Sequence, residues 1–410
     1  MKIKYNNFLM WLLIISPILD NINGFLLLID KNVNISSIFK TIIFLFCMYI
    51  IITHLTNRIS VYIFAISFFF IVQFIFFSFF DSGGFGYNLS TLIRLLIPFT
   101  IILAFQRLSV KDKTTVNCII KVGKFYCWFF PLSLLFPMMF GFGFSTYVGD
   151  LGYKGFYYAG NEISVLMIMI FAISLQSLKA EKSWINLLNL ILNIISIFLI
   201  GTKTVYIAVI ILLVTALYVG RITDKKILSI ILFVPVGIFG IWYVFTNLKF
   251  FQQIIAAWRW RYVYQGTGIL DFLLSGRGEY LEKALHSAYS EKAFSHFVTG
   301  LSPNLVVNQM NNLVEMDIID LILWFGVIVT FFIIVVYASY LKKAIQLKNP
   351  IYIIDIFLVY GTSIMAGHVI FAPMVTLVFA VMYLNIEFTE KPKMKEEIVK
   401  ERIWRKSYHG

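Results

Sequence analysis

The sequence predicts an all-α polytopic integral membrane protein with about twelve transmembrane helices and one large extracytoplasmic loop. Three observations carry this expectation. Of 410 residues, 60% are hydrophobic and only 13% are charged, a balance foreign to soluble domains of this length. Apolar stretches of about 17–25 residues, each long enough to cross the hydrocarbon layer, follow one another along the chain. Basic residues gather in every second connector, as in proteins whose cytoplasmic loops are positively charged.

Taken in order, Lys2 and Lys4 precede a first span over 8–29, and Arg58 follows a second over 36–54. Spans over 60–80 and 87–106 lead to Arg107, Lys111 and Lys113. Spans over 118–142 and 161–178 lead to Lys179 and Lys182. The turn Gly201-Thr202-Lys203-Thr204 joins 184–201 to 203–220, and Arg221, Lys225 and Lys226 come next. A ninth span covers 227–246. After the loop, 317–341 is followed by Lys342, Lys343 and Lys348, and 350–367 meets 369–388 at Gly367-His368. The chain therefore divides into membrane helices (1–245), an extracytoplasmic loop with short helices (246–316), further membrane helices (317–388) and a basic tail (389–410). The charge pattern places both termini in the cytoplasm. The N-terminal apolar run is too long for a signal peptide and stays as an anchor. Richness in Ile, Phe, Asn and Lys suggests a bacterial source, hence a multi-pass protein of the bacterial cytoplasmic membrane.

The net charge of +13 is mainly this topology signal, with a contribution from anionic lipid, and does not indicate nucleic acid. The loop is nearly neutral, with six Lys/Arg and five Asp/Glu. Cys47, Cys118 and Cys127 lie in or beside spans, so no disulfide framework is implied. No metal-ligand spacing is present, and no cofactor is expected.

Arg94, Asp20 and Asp355 fall inside spans, where an ionised group pairs, snorkels or faces water. Glu162 opens the span after Lys154-Gly155-Phe156-Tyr157-Tyr158-Ala159-Gly160-Asn161; it reads as a helix cap or as an acid facing an outer polar cavity. Lys203 snorkels at its turn or meets a lipid diphosphate. Within the loop, 252–264 alternates aromatics with Arg259 and Arg261, which suits an interfacial helix. Ser275 reads as the N-cap of the next helix, which sets Arg277 in a first turn favourable to phosphate. Otherwise Arg277 pairs with Glu279 or Glu282. His286 and His296 are individually bland. His368, at the outer hairpin, is placed to accept a proton from a hydroxyl.

With no nucleotide-binding motif and no cytoplasmic domain, any chemistry uses a substrate that is activated and already outside. Polyprenyl-diphosphate-linked sugars fit that requirement.

The layout resembles the O-antigen polymerase and O-antigen ligase superfamily, most closely the Wzy-type polysaccharide polymerases. The matching motifs are Ser16-Pro17-Ile18-Leu19-Asp20, the 154–162 stretch, Gly201-Thr202-Lys203-Thr204, Ser275-Gly276-Arg277, Glu315-Met316-Asp317 and Gly367-His368-Val369. The resemblance implies a membrane glycosyltransferase C-type fold. It implies metal-independent transfer of a growing glycan from undecaprenyl diphosphate to the next lipid-linked oligosaccharide at the outer leaflet, in capsule or exopolysaccharide synthesis. Arg277, His368 and Glu162 would then be catalytic. Lys203, Arg277, Arg259, Arg261, Arg94 and Asp317 would bind diphosphate or glycan. A flippase and a chain-length regulator of the same pathway would be partners. One departure matters: 311–317 reads Asn311-Asn312-Leu313-Val314-Glu315-Met316-Asp317, without the His-Asn pair many relatives carry before this span. The general base stays open between His368 and an outer carboxylate. The alternatives are an O-antigen ligase-like transferase and a lipid-linked oligosaccharide flippase or transporter.

Overall fold

The computed structural model describes residues 4–31, 33–53, 83–112, 114–147, 151–157, 159–218, 252, 256, 277–289, 297–309, 314–367 and 369–389. The expected spans over 60–80 and 227–246, the basic tail and much of the loop lie outside these residues. The described part is mostly helical. In chain order the elements are α1 (Tyr5–Leu28), α2 (Ile35–Thr53), α3 (Phe85–Lys111), α4 (Thr114–Met139), strands β1 (Ser145–Tyr147) and β2 (Leu151–Tyr153), α5 (Gly160–Ala180), α6 (Trp184–Ile200) and α7 (Lys203–Tyr218). There follow α8 (Arg277–Tyr289), a π-helical turn (Leu305–Gln309), α9 (Asp317–Gln346), α10 (Pro350–Ala366) and α11 (Pro373–Thr389). Six of these, α1 to α5 and α9, are long and apolar enough to cross a membrane, and α6, α7, α10 and α11 are shorter apolar helices.

Local chemistry sets the helix ends. Ser183 caps α6 by accepting the Asn186 N–H at 3.3 Å, and Gly201, with φ 76°, closes it in the left-handed region. Pro350 begins α10, where its missing N–H has no intrahelical partner to lose. Asp320 reaches back from the first turn of α9 to the N–H groups of Val314 (3.1 Å) and Met316 (3.2 Å), in the manner of a capping box.

Helix α5 is buried without interruption from Ile163 to Leu175 and packs against α4, α6, α7 and α10. A helix apolar all round belongs in the centre of a bundle. Asn189 and Asn193 of α6 donate to the Cys127 carbonyl of α4 at 2.7 and 3.3 Å, and the Ser174 hydroxyl of α5 donates to Asn189 Oδ1 at 2.8 Å. Such bonds hold helices together where apolar burial alone offers no preference over lipid. Helices α1, α2, α6 and α7 turn Trp11, Leu45, Trp184 and Ile210 outward, a surface suited to hydrocarbon.

Hydrogen bonds sort the helix termini into two ends. At one, Asn6 meets Asp112 and Thr114, Gln106 meets Glu387, and Gln176 meets Asn349. At the other, Asp20 meets Lys40, Ser164 meets Thr202, and Asp317 meets Ser363. The first end also carries Arg107, Lys179, Lys182, Lys342 and Lys348, the residues of the basic connectors.

Helix α9 is broken at Gly326 (φ 78°, ψ 168°), roughly 14 Å along the axis from Asp317 at 1.5 Å per residue. A Cβ at Gly326 would lie 2.1 Å from the Val298 carbonyl oxygen, and one at Gly300 (φ 76°) would lie 2.4 Å from that of Trp324. The Leu301 N–H donates to the Leu323 carbonyl at 2.8 Å, and the Asn304 N–H to Asn88 Oδ1 of α3 at 2.8 Å. Part of the loop therefore dips between α3 and α9. Irregular backbone is tolerated at that depth because protein surrounds it. Gly326→Ala is expected to destabilise the detergent-solubilised protein by about 2 kcal/mol or more, since it adds both collision and positive-φ strain. Gly361→Ala in α10, where a Cβ meets nothing within 4 Å, should leave the thermal midpoint unchanged or raise it.

Candidate functional site

The site is built at the end where α9 begins. The Asp317 side chain is fully buried, and its Oδ2 accepts three bonds: from Ser363 Oγ of α10 (2.7 Å), Val369 N (3.0 Å) and Ile370 N (2.9 Å). The backbone donors belong to the connection between α10 and α11. The carboxylate supplies acceptors that no helix ladder provides there. Gly367 (φ 57°) lets that connection lie against the segment before α9: a Cβ on it would sit 2.1 Å from the Glu315 carbonyl oxygen. His368 itself lies outside the described residues, as do Arg259, Arg261, Ser275 and His296. Its described neighbours on both sides touch Glu315 and Asp317.

Arg277 is the first described residue of α8. Arg277, Leu281 and Ala284 form the inward face of this helix, while Glu279, Glu282 and Lys283 are exposed. Its Nη2 lies 2.8 Å from Glu315 Oε2, with the arginine side chain 9% exposed and the glutamate 42%. This partner replaces Glu279 and Glu282, the alternative partners read from the sequence. Two or five residues on, those carboxylates project from other faces of the helix. Glu315, beside Asp317, brings the guanidinium onto the α9 start.

Glu162 stands in the first turn of α5, half-buried, where Ala159 is the N-cap residue. The charges of Lys40, Asp20, Arg94 and Asp317 all act on it. Glu162, Arg94 and Asp317, read separately from the sequence, thus share one neighbourhood. Lys203 opens α7 at the same end, half-buried, beside Thr202, whose hydroxyl lies 2.7 Å from that of Ser164. Lys154, in the connection before α5, is half-buried; burial holds its amine below the usual range, and the nearby Glu162 opposes this.

Sequence reasoning missed Lys40 and Ser36. Lys40 Nζ lies 2.5 Å from Asp20 Oδ1 and donates to Ser36 Oγ at 3.0 Å, and Ser36 also donates to Asp20. Lys40 is 6% exposed. The signal was present: a lysine inside an apolar span, four residues from a serine, calls for a partner within the bundle. Asp355, in the second turn of α10 at the opposite end, is fully buried and remote from this cluster; among the described residues neither of its oxygens has a hydrogen-bond partner. Among the described residues no group of His, Cys, Asp or Glu is placed to hold a metal ion.

Chemically, the arrangement offers a buried guanidinium, a half-buried carboxyl among several charges, and a carboxylate that fixes a helix connection. It resembles a place where an anion and a hydroxyl are brought together. A family model described as O-antigen ligase like membrane protein matches residues 2–253. No curated protein and no solved structure matches the chain.

Asp317→Ala leaves three donors without their acceptor and should destabilise the fold by about 3 kcal/mol. Asp317→Asn, which keeps one acceptor oxygen, should cost less, and Ser363→Ala about 1 kcal/mol. Thermal denaturation in one detergent checks this ranking; equal midpoints for all three variants would contradict it.

Proposed function

This chain belongs to the O-antigen ligase like membrane protein family, and from that premise we propose that it is a polysaccharide polymerase. The family is one of glycan-transferring membrane enzymes. On our reading, a growing glycan leaves undecaprenyl diphosphate and passes to the sugar end of the next lipid-linked repeat unit at the outer leaflet. The observation that carries the reading is the convergence of Arg277, Glu162, Arg94 and Asp317 at one end of the bundle.

The chemistry needs two things. The bond from the donor sugar's anomeric carbon to diphosphate breaks, and the leaving diphosphate needs positive charge; Arg277 supplies a planar fork, held in orientation by Glu315, with Lys203 as a second cation. A bond forms from the acceptor hydroxyl oxygen to that carbon, and its proton passes to Glu162 or His368. Asp317 binds no proton in this scheme. It holds Val369 and Ile370 of the α10–α11 connection against the α9 start. Arg259 and Arg261 are assigned to binding of the diphosphate or glycan. A flippase delivers the repeat units, and a chain-length regulator acts on the product.

The family's description also favours a ligase that moves finished glycan to a final acceptor. The two readings separate in proteoliposomes supplied with lipid-linked repeat units: a polymerase makes a ladder of longer lipid-linked chains, and a ligase makes none. Arg277→Ala should cut ladder formation by on the order of a hundredfold or more, with Arg277→Lys between it and wild type, because lysine keeps the charge but not the fork. Normal chain lengths in Arg277→Ala, at equal protein level, would sink the assigned role.

A further inference from the structure

Helix α1 carries a row of buried polar atoms that have no hydrogen-bond partner among the described residues: Ser16 Oγ, Asp20 Oδ2 and Asn23 Oδ1. Spacings of four and three residues put them on one helix face. Ser16 is 2% exposed, and the Asp20 side chain 11%. Lys40 and Ser36 occupy only the other oxygen of Asp20. Tyr126 and Tyr157, both of which feel the charge of Asp20, are engaged elsewhere. Tyr126 donates to the Leu13 carbonyl at 2.8 Å, and the Tyr157 hydroxyl lies 2.6 Å from Ser133 and accepts from Asn21 at 3.0 Å. Leaving buried acceptors unmet is costly, and a repeated set on one face calls for an external donor.

The chemistry of that donor follows from the acceptors. A carboxylate oxygen and an amide oxygen repel phosphate and welcome hydroxyl groups. The charge of Asp20 also acts on Glu162, so this face lies at the same end of the bundle as the carboxyl proposed to receive the acceptor's proton. We infer that Ser16, Asp20 and Asn23 form a saccharide subsite that accepts hydrogen bonds from the hydroxyls of the lipid-linked oligosaccharide. The inference rests on the glycan-transfer reading for its ligand class and assigns sugar and diphosphate to different faces: α1 holds hydroxyls, and Arg277 with Lys203 holds the anion.

The test titrates full-length protein in detergent with the repeat-unit oligosaccharide obtained by partial hydrolysis of the producing strain's own polysaccharide. In parallel it uses undecaprenyl diphosphate alone. Asn23→Leu and Asp20→Asn should each weaken oligosaccharide binding about tenfold or more, the effect of one lost hydrogen bond of about 1.4 kcal/mol, and leave undecaprenyl diphosphate binding unchanged. Asn23→Leu leaves the Asp20–Lys40 pair intact. It should keep or raise the thermal midpoint while binding falls, an opposition that a purely structural polar group would not produce. Unchanged oligosaccharide affinity in folded Asn23→Leu and Asp20→Asn, or no oligosaccharide binding by wild type, overturns the subsite. Oligosaccharide binding that these variants weaken, in a protein that builds no ladder, would uphold the subsite and count against the polymerase.

Discussion

The Asp317 carboxylate is the interaction on which the rest of this end depends. One oxygen gathers a side-chain hydroxyl from α10 and two backbone donors from the connection into α11. The residue two before it, Glu315, holds Arg277, and the charge of Asp317 acts on Glu162 of the central helix. A buried carboxylate is costly unless its lone pairs are used. Here that use ties the start of α9 to α10 and to the connection into α11. A single anion thereby organises elements far apart in sequence.

The helices were legible because membrane spans obey a length and hydropathy rule that needs no tertiary information. The described helices begin and end within a few residues of the expected spans, except α3 and α9, which each run five residues past the expected end, to Lys111 and Gln346. The two-stranded hairpin at 145–153 and the break at Gly326 were not legible. The hairpin pairs two strands of only three residues each, too short for an alternation to show, and the break depends on close approach of the Val298 backbone, which a lone glycine in an apolar run does not announce. Within the site, Arg94 stood out as a charge inside a span, Glu162 as the acid that opens one, Arg277 as a first-turn arginine in the polar loop, and Asp317 through the motif that enters the span after it. The partner of Arg277 did not, because i,i+4 reasoning looks along the helix and the true partner lies 38 positions away. Lys40 was readable by the same rule as Arg94 and was masked by the basic residues counted as topology signals.

The two ends of the bundle differ in kind. One carries the basic connectors, with Lys179, Lys182, Lys342 and Lys348 exposed. The other draws charges inward and pairs them: Asp20 with Lys40, Arg277 with Glu315. Positive charge for an anion and unmet acceptors for hydroxyls lie on different helices around Glu162. That division suits a substrate with a charged lipid end and a neutral sugar end.

The central claim is that this second end faces the outside of the cell. It is tested most directly by placing single cysteines and labelling intact cells with a membrane-impermeant maleimide. Cys47, Cys118 and Cys127 are buried and give little background. Glu282→Cys, on the exposed face of α8, should label in intact cells, and Glu181→Cys, just past the end of α5, only after lysis. The reverse pattern would put the charged cluster in the cytoplasm and contradict glycan transfer at the outer leaflet.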